Sequence, residues 1–216
     1  MKNGQLYSLY KKLLRDYGKP SEIWPQWCAS EKTCKLRDLI TIGSILVQRT
    51  SWFNADLALK NLQENNLTSL MKLANSKDLE KLKSALRPAG FYQTKTKRLL
   101  AFSKFVTEKY ENLEKMMEVD LETLRKELLN VYGVGPETAD TILLYALDKP
   151  TFVVDEYAKK FVTKHKLTSH TKYEDLKAFF ETSLPKSREI FQNYHVLIIV
   201  DHKGREKSIM PDMKVP

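Results

Sequence analysis

The stretch LLNVYGVGPETADTILLYALDKPTFVVDEY, residues 128–157, decides the fold that we expect for this chain. Two glycines flank one apolar residue at Gly133-Val134-Gly135, and glycine accepts the positive φ angles that a tight turn requires. Pro136 suits the first position of a helix, because its missing N–H would have no partner there. The pattern predicts a helix that ends near Tyr132, a tight turn, and a second helix that begins at Pro136.

The same turn is expected to bind an anion. Amide groups at a turn and at the start of a helix point outward without acceptors inside the helix, so they suit a phosphate. An ordinary corner between two helices would show the same residues. Two glycines around one residue favour that simpler interpretation when they are taken alone.

The composition favours a globular protein with a polyanionic partner. The 216 residues are 42% apolar and 29% charged, enough for one large domain or two small ones. The net charge of +9 favours nucleic acid over a membrane surface, because no basic amphipathic segment stands out. No apolar run approaches the roughly 18 residues of a membrane span, and the first residues lack the apolar region of a signal peptide. We therefore expect a cytoplasmic protein, associated with the nucleoid if bacterial.

The periodicity of apolar residues is helical along nearly the whole chain. Leu36 to Val47, LRDLITIGSILV, is the most apolar of these segments and is expected to form a central, buried helix. The two β-like runs, TFVVD at 151–155 and HVLIIVD at 195–201, are too short and isolated to build a sheet. The sequence predicts an all-α protein.

Several motifs together resemble those of the endonuclease III-like helix-hairpin-helix DNA glycosylases. The resemblance is strongest at residues 87–98, which begin RPAGFY, and at 133–157, and it extends from about Trp24 to Asp201. Within the family, the Trp24-Pro25 pair and the 87–98 segment are most similar to the 3-methyladenine DNA glycosylase III branch.

The resemblance implies a two-domain, all-α fold with the active site in the cleft between the domains. A six-helix domain would span residues 36–150 and carry the hairpin at about 121–147. The second helical domain would be formed by both ends of the chain, residues 1–35 and 151–216.

Asp155 is the candidate catalytic residue. Breaking an N-glycosidic bond builds positive charge on the sugar, and a carboxylate can stabilise that charge and orient the attacking water. Asp155 is also a typical N-cap for a helix that begins at Glu156, and the two roles are compatible. The resemblance favours the catalytic role, because VVDEYAKKF aligns with the segment that holds the family's catalytic aspartate.

Glu137 stands where the bifunctional members of the family have a lysine, two positions after the second glycine. In those members the amine attacks the sugar and forms a Schiff base. Glutamate cannot do this, so the resemblance implies a glycosylase without lyase activity.

The resemblance also implies residues that contact DNA and line a base pocket. Gln48 would fill the gap left by the flipped base, although many relatives have asparagine where this chain has Arg49. The predicted DNA-binding residues are Gly133, Val134, Gly135, Thr138, Gln48, Arg49, Lys95, Lys97 and Arg98. The predicted pocket residues are Trp24, Trp52 and Phe53. Core packing is the alternative for these aromatic residues, and a solvated helix face is the alternative for the lysines.

Two cofactor expectations follow from the family. Many relatives hold a four-iron cluster with four C-terminal cysteines, whereas this chain has only Cys28 and Cys34, so we expect no iron–sulfur cluster. The family hairpin binds one Na⁺ or K⁺ through main-chain carbonyls. By position these carbonyls would belong to Leu129, Val131 and Val134.

The resemblance therefore predicts a monomeric, monofunctional glycosylase that removes a damaged base from double-stranded DNA. An alkylated purine such as 3-methyladenine is the expected substrate, because electron-rich aromatic rings attract a cationic base. One alternative is a bifunctional glycosylase and lyase for oxidised pyrimidines that uses another lysine. Another is a helix-hairpin-helix module that binds DNA without catalysis.

Overall fold

The computed structural model describes residues 2–210, and all regular structure within this range is helical, which confirms the predicted all-α class. Three short 3₁₀ turns and one π-helical segment, Ile142–Ala146, accompany the α-helices. The α-helices are α1 Lys2–Tyr17, α2 Cys34–Leu46, α3 Trp52–Glu64, α4 Leu70–Ala74, α5 Leu79–Leu86, α6 Tyr92–Lys109, α7 Leu113–Met117, α8 Leu121–Asn130, α9 Pro136–Thr141, α10 Glu156–Lys164, α11 Tyr173–Ser183 and α12 Arg188–Lys203.

The described chain divides into two compact units. One unit contains residues 31–142, and the other joins residues 2–30 to 143–210. The domain boundaries expected from the resemblance, at residues 36 and 150, stay a prediction.

None of the described helices is both long and apolar enough to cross a membrane.

Helix α2 lies at the centre of the unit of residues 31–142. Its start is fixed by Thr33, whose hydroxyl accepts a hydrogen bond from the Leu36 amide at 3.2 Å. Nearly every residue from Leu36 to Leu46 is buried, and the helix packs against α3, α6, α7 and α9. The most apolar segment of the sequence is therefore the buried central helix that its pattern predicts.

Helices α8 and α9 form the predicted hairpin. Asp120 caps α8 by accepting the Thr123 amide at 2.9 Å, and Pro136 begins α9. The two helices are joined by a bidentate ion pair, with Arg125 Nε and Nη2 at 2.8 and 3.0 Å from the two carboxylate oxygens of Asp140. The predicted second helix is shorter than expected as an α-helix, because it continues from Ile142 in π-helical form.

The unit of residues 2–30 and 143–210 is built around α12, which contacts α1 and α10. The run from Thr151 to Val154 is buried and extended but forms no strand, and its Phe152 amide donates to Glu181 Oε1 at 2.8 Å. The other β-like run, HVLIIVD, lies inside α12. Phe152 also stacks on Phe180 with ring centroids 4.0 Å apart, so aromatic packing fixes this extended segment.

Candidate active site

Gln48 holds the turn of the hairpin. Its Nε2 donates to the Gly133 carbonyl at 3.0 Å and to Thr138 Oγ1 at 2.9 Å, and its Oε1 accepts from Arg98 Nη1. Both atoms of the amide are therefore engaged within residues 31–142. To fill a gap in DNA, as the resemblance implies, Gln48 would have to exchange these bonds for contacts with bases.

The two glycines of the turn play different roles. Gly133 has a φ of +82°, and a Cβ atom at this position would lie 2.2 Å from Arg98 Cγ. Both the backbone angle and the side chain packed against it require glycine. A Cβ at Gly135 would meet nothing within 4 Å, so this residue leaves open space in front of the start of α9.

The structure corrects the expectation for the Val134 amide. This N–H donates to the Val131 carbonyl at 3.0 Å, so it turns back into the loop instead of pointing outward toward a phosphate. The carbonyls of Leu129, Val131 and Val134 are hard oxygen ligands, whose chemistry fits Na⁺ or K⁺. Within residues 2–210, no cluster of three or more His, Cys, Asp or Glu side chains is placed to hold a metal ion.

Lys95 does not lie on the surface, which corrects its predicted contact with DNA. Its side chain is 1% exposed, and its ammonium donates to the carbonyls of Leu46 at 2.7 Å and Ala89 at 2.6 Å. Burial and the nearby charge of Arg98 lower the pKa of Lys95 to about 8. The Leu46 carbonyl ends α2 and lacks a helical partner, so Lys95 satisfies a helix terminus inside the protein.

The other predicted contacts on this unit differ in exposure. Lys97 and Arg49 are exposed, and Arg49 has a left-handed φ of +57°. Among the predicted pocket aromatics, Phe53 is 70% exposed and Trp52 is half-buried. Glu137 is exposed in the first turn of α9, where the helix dipole favours an acidic side chain.

Phe91 was not among the predicted site residues, although it belongs to the RPAGFY motif. It is 65% exposed and has a left-handed φ of +46° immediately before α6. An exposed aromatic residue in this backbone region is uncommon. The glycine before it in the sequence is the only local signal of an unusual conformation.

Asp155 caps α10, as its sequence context predicts. Its Oδ1 accepts the Ala158 amide at 2.7 Å, and its side chain is 13% exposed. The second oxygen, Oδ2, lies 3.4 Å from Nε2 of His195. One carboxylate oxygen is therefore fixed by the helix, while the other faces a histidine that the sequence did not single out.

Trp24 lies in an aromatic cluster beside this histidine. Its ring centroid is 5.9 Å from Trp27, 5.9 Å from Tyr145 and 6.0 Å from His195. The indole Nε1 donates to the Ser208 carbonyl at 2.8 Å, and the side chain is 5% exposed. Trp24 packs as a buried residue here, which is the alternative that its sequence context left open.

Tyr145 and His195 are the polar members of this cluster. His195 sits in the apolar run of α12, and its Nδ1 is 2.7 Å from the Tyr145 hydroxyl. Burial, followed by the charges of Cys28 and Asp155, raises the pKa of Tyr145 well above its ordinary value. His195 lies within seven consecutive buried positions, 194–200, and a histidine among such apolar residues was a signal that sequence reasoning could have used.

The all-α architecture and the hairpin of α8 and α9 define a helix-hairpin-helix protein. Residues 42–186 match the family described as the HhH-GPD superfamily of base excision DNA repair proteins. The chain belongs to this family, which confirms its resemblance to the endonuclease III-like glycosylases.

Relatives match along most of their length. A Methanocaldococcus jannaschii protein named as a DNA repair glycosylase is 44% identical over 197 residues, covering 90% of this chain and 85% of the relative. Endonuclease III of Sulfolobus acidocaldarius is 28% identical over 207 residues, covering 94% of this chain and 88% of the relative.

Solved structures show the same fold. The Helicobacter pylori 3-methyladenine DNA glycosylase bound to 1,N6-ethenoadenine superposes with a TM-score of 0.73 at 27% identity, covering 93% of this chain and 95% of that one. A non-covalent complex of endonuclease III with DNA gives a TM-score of 0.71 at 16% identity, covering 93% and 85%. The second likeness concerns the fold alone.

Proposed function

We propose that this protein is a monofunctional DNA glycosylase that hydrolyses the N-glycosidic bond of a damaged base, preferentially an alkylated purine, in double-stranded DNA. The observation that carries the proposal is the carboxylate of Asp155. The start of α10 holds it through one oxygen, which leaves the other oxygen outside the cap. The positive end of the helix dipole favours a negative charge at this position.

The chemistry requires little more than this carboxylate and water. As the bond between the sugar and the flipped base breaks, its electron pair leaves with the base and positive charge develops on the sugar. Asp155 stabilises that charge, orients the water whose oxygen bonds to the sugar and accepts the proton that the water loses. The products are the free base and an abasic site in an intact strand.

Glu137 supports hydrolysis without a lyase step. A Schiff base needs an unprotonated amine, and the carboxylate at this position cannot supply one. Lys159, four residues after Asp155 in the sequence, has its ammonium paired with Glu156 at 2.7 Å on the surface of α10. The 216 residues contain two cysteines, so we also infer that the protein holds no four-cysteine iron–sulfur cluster.

The alkylated-purine preference is supported by the similarity to the Helicobacter pylori 3-methyladenine glycosylase at 27% identity. The second candidate is a bifunctional enzyme for oxidised bases, which is favoured by the 28% identity to endonuclease III. A pure DNA-binding role is less well supported, since it would use Asp155 only as a helix cap and would leave its second carboxylate oxygen, beside His195, without a role. We also propose that the protein is cytoplasmic, and associated with the nucleoid if it is bacterial.

A panel of duplexes with single lesions tests the proposal. The panel holds 3-methyladenine analogues, ethenoadenine, hypoxanthine, uracil, 8-oxoguanine and an oxidised pyrimidine. We expect base release from an alkylated purine, strand breakage only after alkali, and no covalent adduct after borohydride reduction. An adduct together with breakage before alkali would establish the bifunctional alternative, and release from no lesion would establish the binding module.

A further inference from the structure

Asp155 is one end of a chain of polar side chains buried within the unit of residues 2–30 and 143–210. His195 is 5% exposed, with Nε2 3.4 Å from Asp155 Oδ2 and Nδ1 2.7 Å from the Tyr145 hydroxyl. Tyr145 is fully buried, and its hydroxyl can also donate to the Gln192 carbonyl at 3.4 Å, a longer contact than the 2.7 Å to His195 Nδ1. Neither the histidine nor the tyrosine has a part in the hydrolysis that we propose.

The arrangement of Tyr145, His195 and Asp155 favours one tautomer of His195. A neutral imidazole carries one N–H, so either Nδ1 or Nε2 is the donor. If Nδ1 donated to Tyr145, the lone pair of Nε2 would face the carboxylate of Asp155 and repel it. If Tyr145 donates to Nδ1, the N–H of Nε2 faces the carboxylate and attracts it. The raised pKa of Tyr145 keeps its hydroxyl protonated, so it remains available as the donor.

The contact between His195 and Asp155 has room to shorten. Nε2 is buried and has no aligned hydrogen-bond partner within the described residues. A buried donor without an acceptor is unfavourable, and the carboxylate at 3.4 Å is the acceptor within reach. Hydrogen bonds of active sites are often long without substrate and tighten when substrate binds.

We propose that His195 and Tyr145 are positioning residues for Asp155, with Tyr145 fixing the tautomer of His195 and His195 Nε2–H orienting the carboxylate. The proposal rests on the function proposed above. The Ala158 amide holds one oxygen and the imidazole directs the other, so the carboxylate has a defined orientation toward the reacting sugar. Trp24, edge-on to the imidazole at 82°, limits rotation of that ring. The same logic of a third group that orients the second operates in other hydrolases.

Substitution of His195 tests the donor. Glutamine can present an amide N–H near the position of Nε2, whereas leucine removes the donor at similar volume. With enzyme in excess over an alkylated duplex, we expect His195→Leu to release base about 10- to 100-fold more slowly, and His195→Gln to recover much of the rate. Affinity for the duplex should not change. Equal rates in both variants and wild type would overturn the proposal, and the exposed His170→Gln is the control.

Substitution of Tyr145 tests the tautomer, and Tyr194 provides a matched control. Both tyrosines are fully buried, but the Tyr194 hydroxyl donates to the Leu6 carbonyl at 3.0 Å instead. Tyr145→Phe and Tyr194→Phe therefore each remove one buried hydroxyl. We expect only Tyr145→Phe to slow base release, by several fold, and the proposal fails if the two variants release base at the same rate.

The tautomer of His195 can also be determined by NMR, without a measurement of base release. The chain has four histidines, and long-range ¹H–¹⁵N spectra distinguish the protonated nitrogen in each ring. The signals lost in His195→Gln identify His195, which we expect as the Nε2–H form in wild type and as a mixture in Tyr145→Phe. An Nδ1–H form in wild type would overturn the proposal.

A wild-type rate of base release in Asp155→Asn would overturn the proposed function as well. Slow base release by Asp155→Asn together with an unimpaired rate in His195→Leu would overturn this inference alone.

Discussion

At the scale of single residues, Gly133 and Lys95 show how side chains around the hairpin constrain one another. Gly133 is required by its positive φ and by the Arg98 side chain that covers its Cα. Lys95 is buried one turn before Arg98 on α6, with its ammonium on two main-chain carbonyls. Arg98 in turn reaches Gln48, so α2, α6 and the hairpin share one polar network.

Gly133→Ala is expected to destabilise the protein by about 2 kcal/mol or more, because it adds a left-handed alanine and a clash with Arg98. Gly135→Ala is the matched control. Its φ of −93° is ordinary and its Cβ would meet no atom within 4 Å, so it should cost less than about 1 kcal/mol. Urea unfolding measures both, and equal losses of unfolding free energy would contradict the account of this turn.

The lowered pKa of Lys95 predicts that the free energy of unfolding depends on pH. Its pKa in the folded protein is lowered to about 8 from the ordinary value of 10.5. Between these values the unfolded chain binds more protons than the folded one, so the contribution of Lys95 to the unfolding free energy rises with pH. The difference in unfolding free energy between wild type and Lys95→Met should therefore increase from pH 8 to pH 10. Lys97→Met, at an exposed neighbour, is the control, and a difference for Lys95→Met that does not change with pH would refute the expectation.

At the scale of elements, the hairpin is held by buried charge as well as by its turn. Asp140 on α9 is 0% exposed and is paired with Arg125 on α8 through two hydrogen bonds. Bidentate pairs of this kind fix the relative geometry of the helices that carry them. The turn sets the direction of α9, and the ion pair sets its distance from α8.

Asp140→Ala should lower the unfolding free energy by about 3 kcal/mol, because it leaves the mostly buried guanidinium of Arg125 without its carboxylate. Glu80→Ala removes a more exposed ion pair, with Lys83, and should cost no more than about 1 kcal/mol. Chemical denaturation of the two variants gives both values. A loss in Asp140→Ala as small as that in Glu80→Ala would show that the ion pair does not stabilise the hairpin.

The first residues of the helices also show which helix starts can be predicted from the sequence. Asp120 is an N-cap residue type directly before α8, and its side chain does cap that helix. Thr68 is also an N-cap residue type, yet α4 begins only at Leu70. The reason is not local, since the Leu70 amide donates to Asp38 of α2 at 3.2 Å. A cap supplied by a distant helix leaves no pattern in the neighbouring sequence.

At the scale of the whole molecule, sequence reasoning predicted the fold class, the hairpin and the family. These features depend on local residue patterns and on motifs that can be recognised in the sequence itself. It did not predict which polar residues are buried. Three cations near the start of α6 look alike in sequence, and only packing against α2 turns Lys95 inward. The pairing of His195 with Tyr145 joins residues fifty positions apart, so no local pattern reveals it.

If Asp155 drives hydrolysis of the glycosidic bond, as we propose, the substitution Asp155→Asn should remove most of the activity. Asparagine caps helices about as well as aspartate, so α10 and the fold should be retained while the charge is lost. With enzyme in excess over a duplex that holds one alkylated purine, we predict base release about 100-fold slower or more, at unchanged DNA affinity. Release at the wild-type rate would contradict the account.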